Sequence, residues 1–325
     1  MKPYPKYRVF LYSAFVACQR VWLRCQSLLS FLFKHSPRLL NLVILRTLTQ
    51  QYGMRTAFAR GAFGTFAGSP QDMATFGEYI STGAFSPKTL RYILKTFAEH
   101  QNKGTFIDIG GHIGLMSIPV AESGEIQCTA FEPDKRNFFY FKRNIELHGV
   151  EDKVSIVNKA LFDRKATLDF EISDWHHGDH RIHNTEEVSD EVFEYSPFRE
   201  DIRTIVKVEA DRLDNLIELN SPARPLVIKI DTQGSEAHIF SGGKRVLAEA
   251  DLLVTEFCPY MIRRIGGNPE EIIEFLEANF SKGFVSGKHN SNIEIEMVEI
   301  GEVADFLRGF VEIAKLDFLD ILLEK

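Results

Sequence analysis

An α/β fold built on a mainly parallel sheet with helices on both faces follows from three observations. From Gly104 onward, short apolar runs alternate with helix-patterned segments. The first of these runs ends in an acid and a glycine-rich turn, and the next ends in another acid. At 325 residues and 44% hydrophobic content, the chain suffices for one such core plus an N-terminal extension. Phe is unusually common at 27 residues, which suits an aromatic-rich core.

In order, residues 54–75 are rich in Gly, Ala and Phe and read as short strands and turns. Leu90, Tyr92, Ile93, Leu94 and Phe97 give residues 87–99 a helical period. TFIDIG (105–110) reads as a strand leading to a helix from about His112. QCTAFE (127–132) is a strand followed by a helix from Pro133 to about His148. VSIVNKAL (154–161) and PLVIKID (225–231) are strands, the second followed by a helix from about Ser235 to Glu249. DLLVTEF (251–257) is a strand before a helix from Pro269 to Asn279. SNIEIEMVEIG and LDFLDILLEK read as strands around a short helix. The domain organisation expected is a basic amphipathic helical extension (1–50), a subdomain leading into the core (51–103) and the catalytic domain (104–325).

Charge is unevenly spread. Residues 1–71 hold ten Lys or Arg and no acid, whereas the remaining 28 bases accompany all 45 acids. An acidic body is a poor match for phosphate, so no nucleic-acid partner is expected. Residues 7–34 are apolar but interrupted by Arg20 and Arg24, which disfavours a spanning helix. Three readings stand open for this segment: a helix in a membrane interface, a helix packed on the body or on a second subunit, or a cleaved targeting segment. Cys18, Cys25, Cys128 and Cys258 show neither a disulfide framework nor metal-ligand spacing, consistent with a reducing cytoplasm. No oligomeric state follows from the sequence.

The chemistry-bearing residues fall at the expected carboxyl ends of the strands. Asp108, Gly110, Gly111, His112 and Gly114 form a strand-to-helix turn that departs from the dinucleotide pattern GxGxxG, since Ile109 stands where the first glycine would be. An acid there suits a cationic amino-acid head, as in S-adenosyl-L-methionine, better than a pyrophosphate. A structural turn with a capping acid is the plainer reading of this motif alone. Glu132 follows Asp108 at roughly the interval where an acid meets ribose hydroxyls, and Pro133 then opens a helix. Asn158 and Ala160 lie where an adenine ring would rest. Lys229, Asp231 and Glu236 put charge at the edge of a central strand. The segment DWHHGDHRIH (174–183) carries His176, His177 and His180, with Trp175 placed to stack on a sugar. It reads as an acceptor-site lid supplying a general base, as a metal site of unspecific spacing, or as a polar surface loop.

At these residues the chain resembles the FkbM family of methyltransferases, class I enzymes that methylate hydroxyl oxygens of sugars and natural products. The resemblance covers roughly Gly104 to Lys325. It rests on DIGGHIG, FEPD, GDHRI (178–182), DRLDNLI (211–217), KIDTQGSE and TEF (255–257). It implies a Rossmann-like sheet of seven strands with the last antiparallel, and a small-molecule or glycan acceptor. It also implies cofactor contacts at Asp108, Gly110, Gly114, Glu132 and Asp231. Gln233 stands where many members have Glu, removing one base or metal ligand. Asp231, His176, His177 and His180 are the candidates to take the hydroxyl proton.

Overall fold

A computed structural model describes residues 53–174, 176–183, 203–219, 221–287 and 295–325. The N-terminal extension and Trp175, with the readings attached to them, lie outside the described residues. Among the described residues no helix is long and apolar enough to cross a membrane.

The described residues open with a hairpin, β1 (Ala57–Gly61) and β2 (Gly64–Gly68), then α1 (Thr75–Thr82) and α2 (Pro87–Glu99). The central sheet begins with β3 (Lys103–Ile109), followed by α3 (Ser117–Glu122), β4 (Glu125–Phe131), α4 (Lys135–His148) and β5 (Val154–Val157). A smaller insertion holds β6 (Ala160–Leu161), β7 (Ala166–Ile172), a single 3-10 turn (His177–Asp179), β8 (Arg181–Ile182), β9 (Thr204–Asp211) and α5 (Leu213–Leu216). The central sheet resumes with β10 (Leu226–Ile230), α6 (Glu236–Gly242), α7 (Lys244–Leu247) and β11 (Leu252–Phe257). After α8 (Pro259–Arg264) and α9 (Pro269–Asn279) come β12 (Lys282–Gly287), β13 (Val298–Glu299), α10 (Ile300–Ile313) and β14 (Leu319–Glu324).

The central sheet runs in the order β13-β12-β14-β11-β10-β3-β4-β5. β5, β4, β3, β10 and β11 are mutually parallel, and β14, the last strand, is antiparallel to β11 and β12. The sheet has eight strands rather than the expected seven, because the two-residue β13 extends its edge. β6-β9-β7-β8 form a separate sheet.

Side-chain alternation sorts the two faces. Phe106, Ile126, Cys128 and Ala130 point towards a layer of α2, α3 and α4, while Ile107, Ile109 and Phe131 meet α6, α7, α9 and α10 on the other side. Seven phenylalanines, among them Phe97, Phe106 and Phe141, are almost wholly buried, so the abundant Phe does build the core. Cys128 and Cys258 are buried free thiols, and burial raises the pKa of each.

Four boundaries differ from the sequence reading, each for a local reason. The helix expected from His112 starts only at Ser117, because His112 and Gly114 adopt left-handed conformations (φ 51° and 89°) that unwind the turn. The helix after β4 starts at Lys135 rather than Pro133, since the Asp134 side chain caps it by accepting from the Arg136 and Asn137 amides. The strand expected over 154–161 divides at Asn158 and Lys159 between two sheets. The helix expected over 235–249 breaks at Gly243 into α6 and α7.

Asn144 fastens the hairpin to the body. Its side chain is fully buried on α4 and exchanges two hydrogen bonds with the Ala67 backbone (2.7 and 3.0 Å). It also donates to the Ile113 carbonyl at 2.9 Å. β2, the glycine turn and α4 are thereby held in one arrangement.

Candidate active site

The carboxyl ends of β3, β4, β10 and β11 open into a cavity of about 1160 Å³, where ligands of open α/β sheets bind. Asp108, Gly110, Gly111, His112, Glu132, Pro133, Ala160, Asp231, His176, His177 and His180 all line it. Two expected residues do not. Gly114 lies against Phe141, which an added Cβ would meet at 2.5 Å. The Asn158 amide is spent on the carbonyls of Glu132 and Pro133 (2.8 and 3.0 Å), so this residue supports the wall from behind.

The glycine turn is fixed by its neighbours. The Gly110 and Gly111 amides both donate to the Phe131 carbonyl at 3.0 Å. Gly110 has φ 84°, and a Cβ there would stand 1.9 Å from the Asp231 carbonyl oxygen, so no side chain fits. Asp108 beneath the turn is 1% exposed. Its oxygens accept from Lys229 Nζ (3.1 Å) and Ser117 Oγ (2.6 Å). The cation beside Asp108 is therefore Lys229 rather than the head of a ligand. Burial would lower the Lys229 pKa, but Asp108 and Asp231 outweigh it and raise it.

Glu132 at the end of β4 is 5% exposed. One oxygen accepts from the His112 amide and the other from the Asp134 amide, both at 2.9 Å. Each oxygen keeps capacity for a further donor. Burial, and then the Asp134 carboxylate, push the Glu132 pKa up to about 8.

At the β10 end, carboxylates gather around an amide. Asp231 accepts from Gln233 Nε2 at 3.0 Å and lies 3.8 Å from Lys229 Nζ. The same Nε2 donates to Glu256 at 2.9 Å. Glu here would set a third carboxylate between these two, whereas Gln serves both as donor. Glu256 faces Asp320 across the β11–β14 ladder. Burial and then Asp231 raise both pKa values, Asp320 to about 6. Glu236 instead turns back to accept from the Thr232 and Gly234 amides, closing the loop before α6.

The histidine segment is not a surface loop. His177, Asp179, His180 and Arg181 are all buried. Arg181, fully enclosed, donates to Glu171 at 2.8 Å and lies 3.5 Å from Asp179; Arg203 engages both acids and Arg264 engages Glu171. The His177 amide reaches Asp72 at 3.3 Å, and the other Asp72 oxygen lies 3.3 Å from His112 Nε2. Asp72 also accepts from the Thr75 and Phe76 amides at the start of α1. Burial opposes ionisation of Asp72, yet His112, His177 and these amides hold its pKa below the usual carboxylate range.

The sequence reading missed Asp72 and Asp320. For Asp72 one signal existed: it is the first acid in the chain and stands three residues before a Thr that begins a helical pattern. Of the three candidate bases among the histidines, His180 is excluded by its tautomer. Its Nδ1 accepts the Ser173 amide at 3.1 Å, so the ring proton resides on Nε2 and the ring is a donor.

The sequence profile of the methyltransferase FkbM domain matches residues 108–286, more than half the chain. No protein of curated function matches the chain in sequence. Among solved structures, the chain is similar to an FkbM methyltransferase from Methylobacillus flagellatus (13% identity, TM-score 0.40), covering 90% of this chain. The chain spans 60% of the length of that protein. It is also similar to an O-methyltransferase from Bacillus cereus in complex with SAH (12% identity, TM-score 0.38, 74% of this chain and 82% of that one). A third similar structure is the tRNA methyltransferase TrmK of Bacillus subtilis (12% identity, TM-score 0.35, 73% and 65%).

Proposed function

Because the chain belongs to the FkbM methyltransferase family, we propose that it transfers a methyl group from S-adenosyl-L-methionine to a hydroxyl oxygen of a small-molecule or glycan acceptor. The residues present fit that cofactor. The Gly110–His112 turn presents its backbone to the cavity, and Glu132 can accept from both ribose hydroxyls while retaining its two amide bonds. When bound, the cofactor supplies an activated methyl group on a sulfonium.

What the chain itself must add for a hydroxyl acceptor is orientation and a place for one proton. The observation that carries this reading is Asp231. Its side chain is 36% exposed, it lines the cavity beside Gly110, and Lys229 and Gln233 hold it in place. In this role Asp231 takes the hydroxyl proton, and its own charge disfavours ionisation of the nearby Glu256 and Asp320. The same crowd of carboxylates disfavours a nucleic-acid acceptor, whose phosphates it would repel.

Incubation of the full chain with methyl-labelled cofactor and separated glycan, small-molecule, lipid, protein and RNA fractions tests the proposal. Label in the glycan or small-molecule fraction, released as a methyl ether, is the expected result. Label confined to protein or RNA overturns it.

A further inference from the structure

Several buried ring nitrogens in the cavity wall are unused, and two of them belong to a pair of neighbouring histidines. Among the described residues, neither His177 Nε2 nor His180 Nε2 has a hydrogen-bond partner. Both side chains line the cavity, and they are only 2% and 7% exposed. Orphaned buried polar atoms are rare in folded proteins and mark places where a ligand or water completes the bonding.

The two nitrogens are opposite in kind. His180 Nδ1 accepts the Ser173 amide, so its Nε2 carries the proton and donates. At His177 the atom without a partner is Nε2, and the Asp174 backbone favours a proton on the ring, which puts the standing proton on Nδ1 and leaves a lone pair on Nε2. His180 cannot exchange roles without breaking its backbone bond. Burial holds both imidazoles neutral, with His177 pushed down to about 4 and His180 to about 2. Their ring centres are 5.3 Å apart. The result is a rigid pair, one acceptor beside one donor.

Their position selects the ligand. His177 is joined through Asp72 to His112, whose amide bonds Glu132, the expected ribose acid. His180 packs edge-on against Phe170. Phe170, Phe131 and Ala160 supply apolar wall to the same cavity. Asn158 spends its side-chain NH2 on the carbonyls of Glu132 and Pro133 and does not line the cavity.

We propose that His177 and His180 read the adenine of the cofactor, His177 Nε2 accepting from the exocyclic amine and His180 Nε2–H donating to N1. Adenine presents that donor–acceptor combination along its edge. This rests on the cofactor assigned above.

The test is calorimetric titration of the full chain with S-adenosylhomocysteine and with S-inosylhomocysteine, whose 6-oxo base reverses the edge. The wild type should bind the adenine compound roughly 10- to 100-fold more tightly, since the reversed edge leaves both nitrogens opposed or unpaired. His177→Leu and His180→Leu should each narrow the preference to within about threefold, and His180→Gln, which retains a donor near the Nε2 position, should restore part of it. Equal affinity of the wild type for both compounds overturns the proposal even if the leucine variants do not fold. Leucine variants that fold and keep the full preference also overturn it, and place the pair at the methyl acceptor instead. Absence of any binding of S-adenosylhomocysteine by the wild type overturns the cofactor assignment itself, and this inference with it.

Discussion

The two ends of the cavity handle buried polarity in opposite ways. At the β10 end, Asp108, Asp231 and Glu256 each have partners within the chain, and Lys229 and Gln233 join them into one network. At the α4 end, His180 is anchored through Nδ1, and His177 and His180 each hold a buried Nε2 without a partner. A saturated network can shift protons without changing its shape, which suits chemistry. An unsaturated one costs stability until a ligand completes it, which suits recognition. Under the function and the inference proposed above, proton handling falls to one end and selectivity to the other, within a single cavity.

The strongest challenge to this division is Asp231→Asn. Loss of the base should lower methyl transfer by roughly 10²- to 10⁴-fold while S-adenosylhomocysteine affinity stays within about threefold. Parallel rate assays and calorimetry check this, and an equal loss in both would merge the two ends. Next is Arg181→Met, which leaves Glu171 and Asp179 short of one cation in the network supporting the histidine turn. It should cost about 3 kcal/mol in denaturant unfolding. Glu132→Gln should weaken cofactor-product binding by roughly 10- to 100-fold, because one of its oxygens becomes a donor facing backbone amides.

The Glu132 pKa also gives the recognition end a pH dependence. Ribose hydroxyls donate to the carboxylate and not to the protonated acid. With the free-state pKa raised to about 8, affinity for S-adenosylhomocysteine should climb from pH 6.5 to 8.5, by up to about 30-fold, and level off above. The sign for stability is opposite. A raised pKa stabilises the free fold below the ordinary carboxylate range, and that contribution is lost as pH rises through 8. The thermal shift produced by the ligand should therefore grow with pH, and Glu132→Gln should flatten both trends. The smallest effect expected is Asn268→Ala. It removes the cap of α9, which accepts from the Glu270 amide, and should cost about 1 kcal/mol while leaving both ends of the cavity unchanged.

What could be read in the sequence was what is local along the chain. The glycine turn, Glu132 and the KID segment each sit within one strand-to-loop junction, so spacing alone brought them to the same edge. The helix over Pro269–Asn279 was also legible, because cap, proline and periodicity agree there. Residues joined by the fold were not. Asp72 meets His177 across 105 positions, and Asp320 reaches Glu256 only because the final strand runs backwards beside β11. Nor could the sequence assign ring protons. Whether His180 is base or donor depends on a backbone amide seven residues away. The histidine segment read as readily as a surface loop, because its burial depends on Arg203 and Arg264, well outside it.

Asp72 has one more consequence. The stretch matched by the family profile begins at residue 108, yet the carboxylate that braces His112 and His177 belongs to the lead-in before it. The unit that is inherited and the unit that works are thus of different lengths. A graft of residues 108–286 onto a foreign leader would carry the turn and the ribose acid intact, but it would arrive without the strut that fixes the selective wall. In such chimaeras, tolerance for altered bases should widen before affinity for the natural one is lost.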